Sequence, residues 1–176
     1  MILGRKLEDW KDRYRGECWI VGNGPSLDIS VVNGYSFATN RIAMIYDRTP
    51  WRPTFYYAHA PMYSEEWEAD VVRSIALGIP CFLHERLKFL GDYDNVTWIP
   101  DETYHGLSGL IMAKLATYMG FDDLKFVGHD GNFEPNSAVD TNHFDPEYLT
   151  CVTKEEAERW NHAHKRLVEW IAKHTT

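Results

Sequence analysis

Apolar residues along this chain follow two patterns that alternate. Short, nearly unbroken apolar runs occur at 18–21, 36–39, 54–58, 79–83, 96–100 and 124–127, each bounded by Gly, Pro, Asn or Asp. Runs of that length, rich in β-branched and aromatic residues, predict buried strands. Between them lie stretches with apolar positions three and four apart. Residues 64–78 predict a helix capped by Ser64, with Glu65, Glu66 and Glu68 in the first turn and Gly78 ending it. Residues 106–121 repeat Leu107, Leu110, Ile111, Leu115 and Tyr118 and close on Gly120. Residues 154–173 carry Ala157, Trp160, Ala163, Leu167, Trp170 and Ile171 on one face. Leu7, Trp10 and Tyr14 predict a short outer helix over 5–15 within the first 16 residues, and 41–46 a brief one.

This alternation predicts one α/β domain over 1–176: a Rossmann-like three-layer sandwich with a mostly parallel sheet. Residues 131–150 have no periodicity and are rich in Asn, Asp, Pro and aromatics. So long a loop in a compact domain is usually functional, and it is taken as an active-site loop.

In such sheets ligands sit beyond the carboxyl ends of the strands. Candidate chemistry collects at those ends: Gly22-Asn23-Gly24-Pro25-Ser26, Asn40-Arg41, His59 and Gly128-His129-Asp130. In the first, glycines permit positive φ and close approach of main chain, while Pro25 and Ser26 suit a helix start. Strand, glycine turn and free amides at a helix N-terminus together make an anion site. A tight turn whose glycines serve only packing is the competing reading. The turn lacks a third glycine and no acid follows the second strand, which argues against a dinucleotide.

Net charge narrows the partners. At −8, the chain lacks the basic balance of a general nucleic-acid binder, although a small anionic ligand stays open. Cys18, Cys81 and Cys151 are odd in number and widely spaced, and two lie in strand-like runs. Buried free thiols in a reducing cytoplasm are therefore expected. Met1-Ile2-Leu3 runs at once into charges and no long apolar stretch follows, so neither a leader nor a membrane span is expected. Cys18 and Cys151 have no activating basic neighbour, and Ser26 lacks the Gly-x-Ser-x-Gly elbow, so neither is expected as a nucleophile.

Ile-Val-Gly-Asn-Gly-Pro-Ser-Leu at 20–27 resembles the opening motif of the bacterial sialyltransferases of glycosyltransferase family 42. It is similar also to the DUF115 group, which includes Maf-type flagellin glycosyltransferases and an archaeal hydroxymethylpterin pyrophosphokinase. Over roughly 18–148 the order of further pieces is similar: Asn40 at a strand end, an aromatic strand after Pro53 ending near Pro61, and Ser108-Gly109 opening a helix that ends in Gly120-Phe121. Gly128-His129-Asp130 and a loop histidine, His143, complete the order.

The resemblance implies a transferase using a CMP- or nucleoside-diphosphate-sugar as substrate, with no tightly bound cofactor. Asn23, Gly24, Asn40, Ser108 and Gly109 would contact the nucleotide, with Gly22, Pro25, Ser26 and Arg41 beside them. His143 would be the general base and Tyr148 would bond the departing phosphate. The pyrophosphokinase relatives imply an alternative, diphosphate transfer from ATP with Mg held at Asp130. A non-catalytic nucleotide-binding module is the third. His105, His129, Asp130, Asp140 and His143 are of metal-ligating types, but no pair has close helical spacing, and no metal site is assigned. His162 and His164, two apart on the last helix, are expected at the surface. Aromatics over 131–148 could cover an acceptor or pack on a second copy of the chain in a homo-oligomer.

Overall fold

The computed structural model describes residues 5–59, 65–100, 106–149 and 151–174. Strands β1 (Glu17–Val21), β2 (Tyr35–Thr39), β3 (Phe55–Ala58), β4 (Cys81–His84), β5 (Val96–Ile99) and β6 (Asp123–Val127) form one sheet. Their order is 5-4-3-2-1-6, and every neighbouring pair is parallel. Successive side chains point to opposite faces of a strand. Cys18, Ile20, Phe37, Phe55, Tyr57 and Phe82 therefore face one way, against Ile111, Met112, Leu115 and Met119 of α2 (Ser108–Met119). Val21, Ala38, Tyr56, Ala58, Cys81 and Leu83 face the other, against Trp67, Val71 and Ile75 of α1 (Glu65–Ala76). Both faces are covered, which is why the strands read as continuous apolar runs. The result is a single α/β domain of three layers, Rossmann-like.

Topology then fixes where a site can lie. From β1 to β5 the chain steps steadily along the sheet, with α1 on one face. It returns through α2 on the opposite face to set β6 beside β1. Right-handed crossovers taken in opposite directions must use opposite faces. The reversal falls between β1 and β6, so the crevice opens beyond Val21 and Val127, at the 22–26 turn and Gly128.

Several local expectations are corrected. The predicted helix over 5–15 is one 3-10 turn, Leu7–Trp10, followed by Asp12 at φ +54°. This segment is not an outer helix. The Asp12 and Tyr14 amides donate to the Tyr118 and Met119 carbonyls, satisfying groups that the end of α2 leaves open. Trp10 enters the core and its indole N–H donates to Thr97. The predicted brief helix over 41–46 is a kinked 3-10 segment, Asn40–Ile45. The proposed cap Ser64 lies outside the described residues, as do His105 and Pro61; α1 itself ends where expected, before Gly78 at φ +74°. Cys18 and Cys81 are buried free thiols and Cys151 is an exposed one. Among the described residues no helix is long and apolar enough to cross a membrane.

Candidate functional site

The turn after β1 does not become a helix. Its next regular element is a 3-10 turn at Ile29–Val31. The Gly22 amide donates to the Val127 carbonyl and the Gly24 amide to the Gly128 carbonyl, both at 2.8 Å. Leu27 N donates to Gly24 O at 3.0 Å and Ser26 N to the Asp130 carboxylate at 3.2 Å. Amides expected to hold an anion are thus taken by β6 and by the acid that follows it. Neither Gly22 nor Gly24 has positive φ. They are glycine for space: a Cβ on Gly22 would run into the Gly128 carbonyl, and one on Gly24 into the Asp130 carboxylate. Packing is the role the structure gives these glycines.

A helix N-terminus does reach the crevice, but it belongs to α2. Leu107 precedes the helix and supplies no side-chain cap, so the first-turn amides of Ser108 and Gly109 have no intrahelical acceptor. These donors, with the positive end of the helix dipole, favour an anion. Gly109 is also required for fit, because a Cβ there would lie 2.6 Å from His129 Cε1.

Around this point lies a cavity of about 880 Å³. Gly22, Asn23, Gly24 and Pro25, Thr39 and Asn40, His59, Ser108 and Gly109, and Gly128, His129 and Asp130 line it from the strand ends and from α2. His143 and Tyr148 line it from the long loop. Its volume suits a nucleotide-sized ligand. Two proposed residues stand outside. Ser26 reaches only Asp130, through its amide. Arg41 is a strut: its Nε pairs with Asp70 at 2.8 Å and its Nη1 donates to the Tyr148 carbonyl at 2.7 Å.

The strand-end wall keeps buried polar atoms without partners. Asn23 is 8 % exposed; its Nδ2 donates to the Thr39 carbonyl and the Tyr148 hydroxyl, but its Oδ1 has no donor. Asn40, at φ +52°, donates Nδ2 to Ser108 Oγ at 3.3 Å and likewise leaves Oδ1 open. Thr39 Oγ1 and His59 Nδ1 are unpaired too. Buried polar atoms without partners are costly, and four of them collect on this one cavity wall. Burial lowers the pKa of His59 to about 4, with His84 and Arg86 acting in the same direction. Burial likewise brings His129 to about 4 against the opposing pull of the Ile20 carbonyl, to which its Nε2–H donates at 3.0 Å. Both are neutral at pH 7.

The 131–149 loop has no helix or strand but is closely determined. Asn161 holds Phe133 by both backbone groups, at 2.8 Å each. Asn142 holds Glu134 the same way, at 2.7 and 2.8 Å. Asp140 is buried; its Oδ1 accepts the Asn142 amide and its Oδ2 meets His143 Nδ1 at 2.7 Å. The carboxylate must accept there, so Nδ1 carries a proton and Nε2, across the ring, is left for the cavity. The His143 ring stacks on Tyr148, centroids 3.9 Å apart. Tyr148 is buried, accepts from Asn23 and from the Arg41 amide, and burial pushes its phenol well above the usual range, so it stays protonated.

One wall was not foreseen. Arg159, Trp160, Ala163, His164 and Leu167 of α3 (Lys154–His174) also line the cavity. His164 is turned inward: its Nε2 meets the His129 carbonyl at 3.1 Å, and its ring occupies the space a Cβ on Gly131 would need. His162 is exposed, as expected. The helical spacing of Trp160, Ala163 and Leu167 was legible, but it reads equally as a core face. Among the described residues no three His, Cys, Asp or Glu side chains converge as a metal site.

The fold thus defines a Rossmann-like α/β domain with a cavity at its topological switch point. No known protein family, characterised protein or solved structure matches the chain.

Proposed function

We propose that this chain is a sialyltransferase-like glycosyltransferase, moving a sugar from a CMP- or nucleoside-diphosphate-sugar to a hydroxyl. The observation that carries the reading is the Asp140–His143 pair on the wall of a cavity that also receives the N-terminus of α2. Asp140 holds the imidazole in the tautomer that leaves Nε2 free as a base. The acceptor oxygen attacks the anomeric carbon and gives its proton to Nε2. The bond from that carbon to the phosphate oxygen breaks, and its electron pair leaves with the phosphate. Charge that grows there is met by the Ser108 and Gly109 amides. The imidazolium formed lies on the face of Tyr148, which favours a cation. Asn23, Thr39 and Asn40 supply unpaired acceptors for hydroxyl or amino groups of the nucleotide.

Asp130, beside Gly24 and Ser26 on the same wall, favours a second reading in which a divalent ion bridges it to the phosphates of ATP. Thermal-shift titrations with CMP, UDP, GDP, ADP and ATP, each with and without Mg²⁺, separate the two. At about a hundred times its Kd a nucleotide adds roughly 2.7 kcal/mol, a shift of several degrees. A metal-independent shift supports the glycosyltransferase; a shift with ATP only when Mg²⁺ is present replaces it with diphosphate transfer. No shift with any nucleotide overturns both.

A further inference from the structure

The face that α3 turns to the cavity has no part in the proposed chemistry, yet it is built with care. Arg159, Trp160, Ala163, His164 and Leu167 occupy one helical face, and Phe133 stands against it with its ring 5.4 Å from Trp160 at 70°. Phe133 does not rest there by packing alone. Its N–H and C=O are both bound by the Asn161 side chain, one turn of α3 away from Ala157, while Asn142 binds the next residue in the same manner. An amide side chain that pairs both backbone groups imitates a strand partner and fixes the position of what it holds. On its other side Phe133 lies 6.1 Å from the His143 ring. A continuous aromatic surface therefore runs from the base to α3.

Charge on this wall is specific as well. Among the described residues Arg159 is the sole Lys or Arg lining the cavity, and it has no carboxylate partner there. Glu134, next to Phe133 in the chain, also lines the cavity. Carboxylates accept hydroxyl hydrogens, aromatic faces take the C–H faces of sugar rings, and a guanidinium grips a carboxylate or phosphate through two N–H groups.

We infer that Phe133, Trp160 and Arg159 form the acceptor subsite, and that its occupant is a pyranose bearing a carboxylate or phosphate. The ring lies along Phe133 and Trp160, its anionic group meets Arg159, and one hydroxyl comes to His143 Nε2. This rests on the glycosyltransferase reading for the role of the sugar as acceptor, though not for its binding.

Ligand-observed NMR titration tests it with pairs that differ only in the anion: glucose with glucuronate, galactose with galacturonate, and glucose with glucose 6-phosphate. In at least one pair the anionic member is expected to bind at least tenfold more tightly. Arg159→Gln should erase that difference and leave the neutral sugar unchanged. Trp160→Ala should weaken both members. Arg159 is exposed, so its variant keeps the fold and decides the matter even if Trp160→Ala does not. Equal binding within every pair, no binding by any sugar, or a preference that survives Arg159→Gln overturns the inference. The nucleotide titrations run on the same protein keep the two failures apart. A nucleotide shift without anion preference defeats only the subsite. An anion preference without any nucleotide shift defeats only the transferase reading.

Discussion

Two of the cavity's walls are made by different means. At the strand ends main chain meets main chain, Gly22 and Gly24 lying against Gly128, and Gly109 of α2 lies against the His129 ring, with no room for a methyl group at any of the three. In the opposing segment, from Gly131 to Leu149, scattered backbone bonds, such as the Asn136–Val152 bridge and the Phe144 amide donating to the Asn23 carbonyl, are joined by side-chain ties: Asn142, Asn161, Asp140, and Asp145, which accepts from Arg48 at 2.6 Å. Close backbone contact gives a stiff surface but few side-chain functions. Side-chain ties cost more polar burial, yet they leave the His143 imidazole and the Tyr148 phenol lining one space. Under the proposed reading a division of labour follows: the strand ends would receive the activated group, and the loop would bring the chemistry.

The sharpest way to break that division is at His143. His143→Ala is expected to lower kcat by about 10²- to 10⁴-fold, the usual worth of a positioned base. The thermal shift given by nucleotide should persist, because Asn23, Asn40 and the α2 amides are untouched. Asp140→Asn should cost about as much, since an amide cannot hold the imidazole by accepting from Nδ1 in both of its orientations. Turnover near the wild-type rate in His143→Ala would remove this residue from the mechanism.

On the strand-end wall the comparable injury is to folding. Gly22→Ala sets a methyl against the Gly128 carbonyl and 2.9 Å from His129 Cε1, and backbone cannot move aside cheaply. A loss of about 3 kcal/mol is expected, or roughly 6–12 °C in Tm for a domain this size. Gly78→Ala gives the contrast, because that glycine has open space and only its φ of +74° to protect. It should cost about 1 kcal/mol. Equal losses in both would show that the β1–β6 contact is less tight than its geometry.

Much of this wall could be read in advance, and the reason is local. Six strands announced themselves as apolar runs, and α2 by its spacing and by Gly120, now seen at φ +104°. The 22–26 turn is legible in the sequence, but the helix start its residues suggest does not form. Pro25 and Ser26 do suit one; what overrides them is Asp130, more than a hundred residues away, whose carboxylate takes the Ser26 amide. His143 is legible only through the resemblance, and the sequence marks its partner Asp140 as nothing more than a metal-ligating type. The cavity face of α3 was missed for a similar reason. Trp160, Ala163 and Leu167 have the same spacing whether they meet core or cavity, and the Asn161–Phe133 tie that decides it leaves no periodic trace.

Within the loop wall, Asn142→Ala measures what one side-chain tie is worth. Asn142 is buried, and its loss leaves both backbone groups of Glu134 without partners. About 2 kcal/mol is expected from the stranded groups. Hydrogen exchange should localise the damage: the Glu134 amide loses protection while those of β1 and β6 keep theirs. If protection falls evenly across the sheet, the two walls are one cooperative unit and the contrast drawn between them fails.

Mild acid should separate the walls by a different means. His59 and His129 have folded pKa values of about 4, so as pH falls the unfolded chain takes up their protons first, near its ordinary pKa of about 6.5. Stability therefore declines through the interval from about 6.5 to 4, and by pH 5.5 each histidine has cost about 1 kcal/mol. Asp145 behaves otherwise. Burial pushes its carboxyl up, but the Glu147 amide and the Arg48 guanidinium outweigh that and hold it below its usual value. A depressed carboxylate contributes stability that is complete above the unfolded pKa and fades only as pH falls toward the folded one. At pH 5.5 the loop wall keeps this contribution while the strand-end wall has begun to lose its own. Tm should thus fall by several degrees between pH 7 and 5.5. His59→Gln, which cannot be charged, should flatten about half of that slope, and Asp145→Asn should leave it unchanged. A slope that His59→Gln does not alter, or that Asp145→Asn removes, would place the acid-sensitive point in the loop and reverse the assignment.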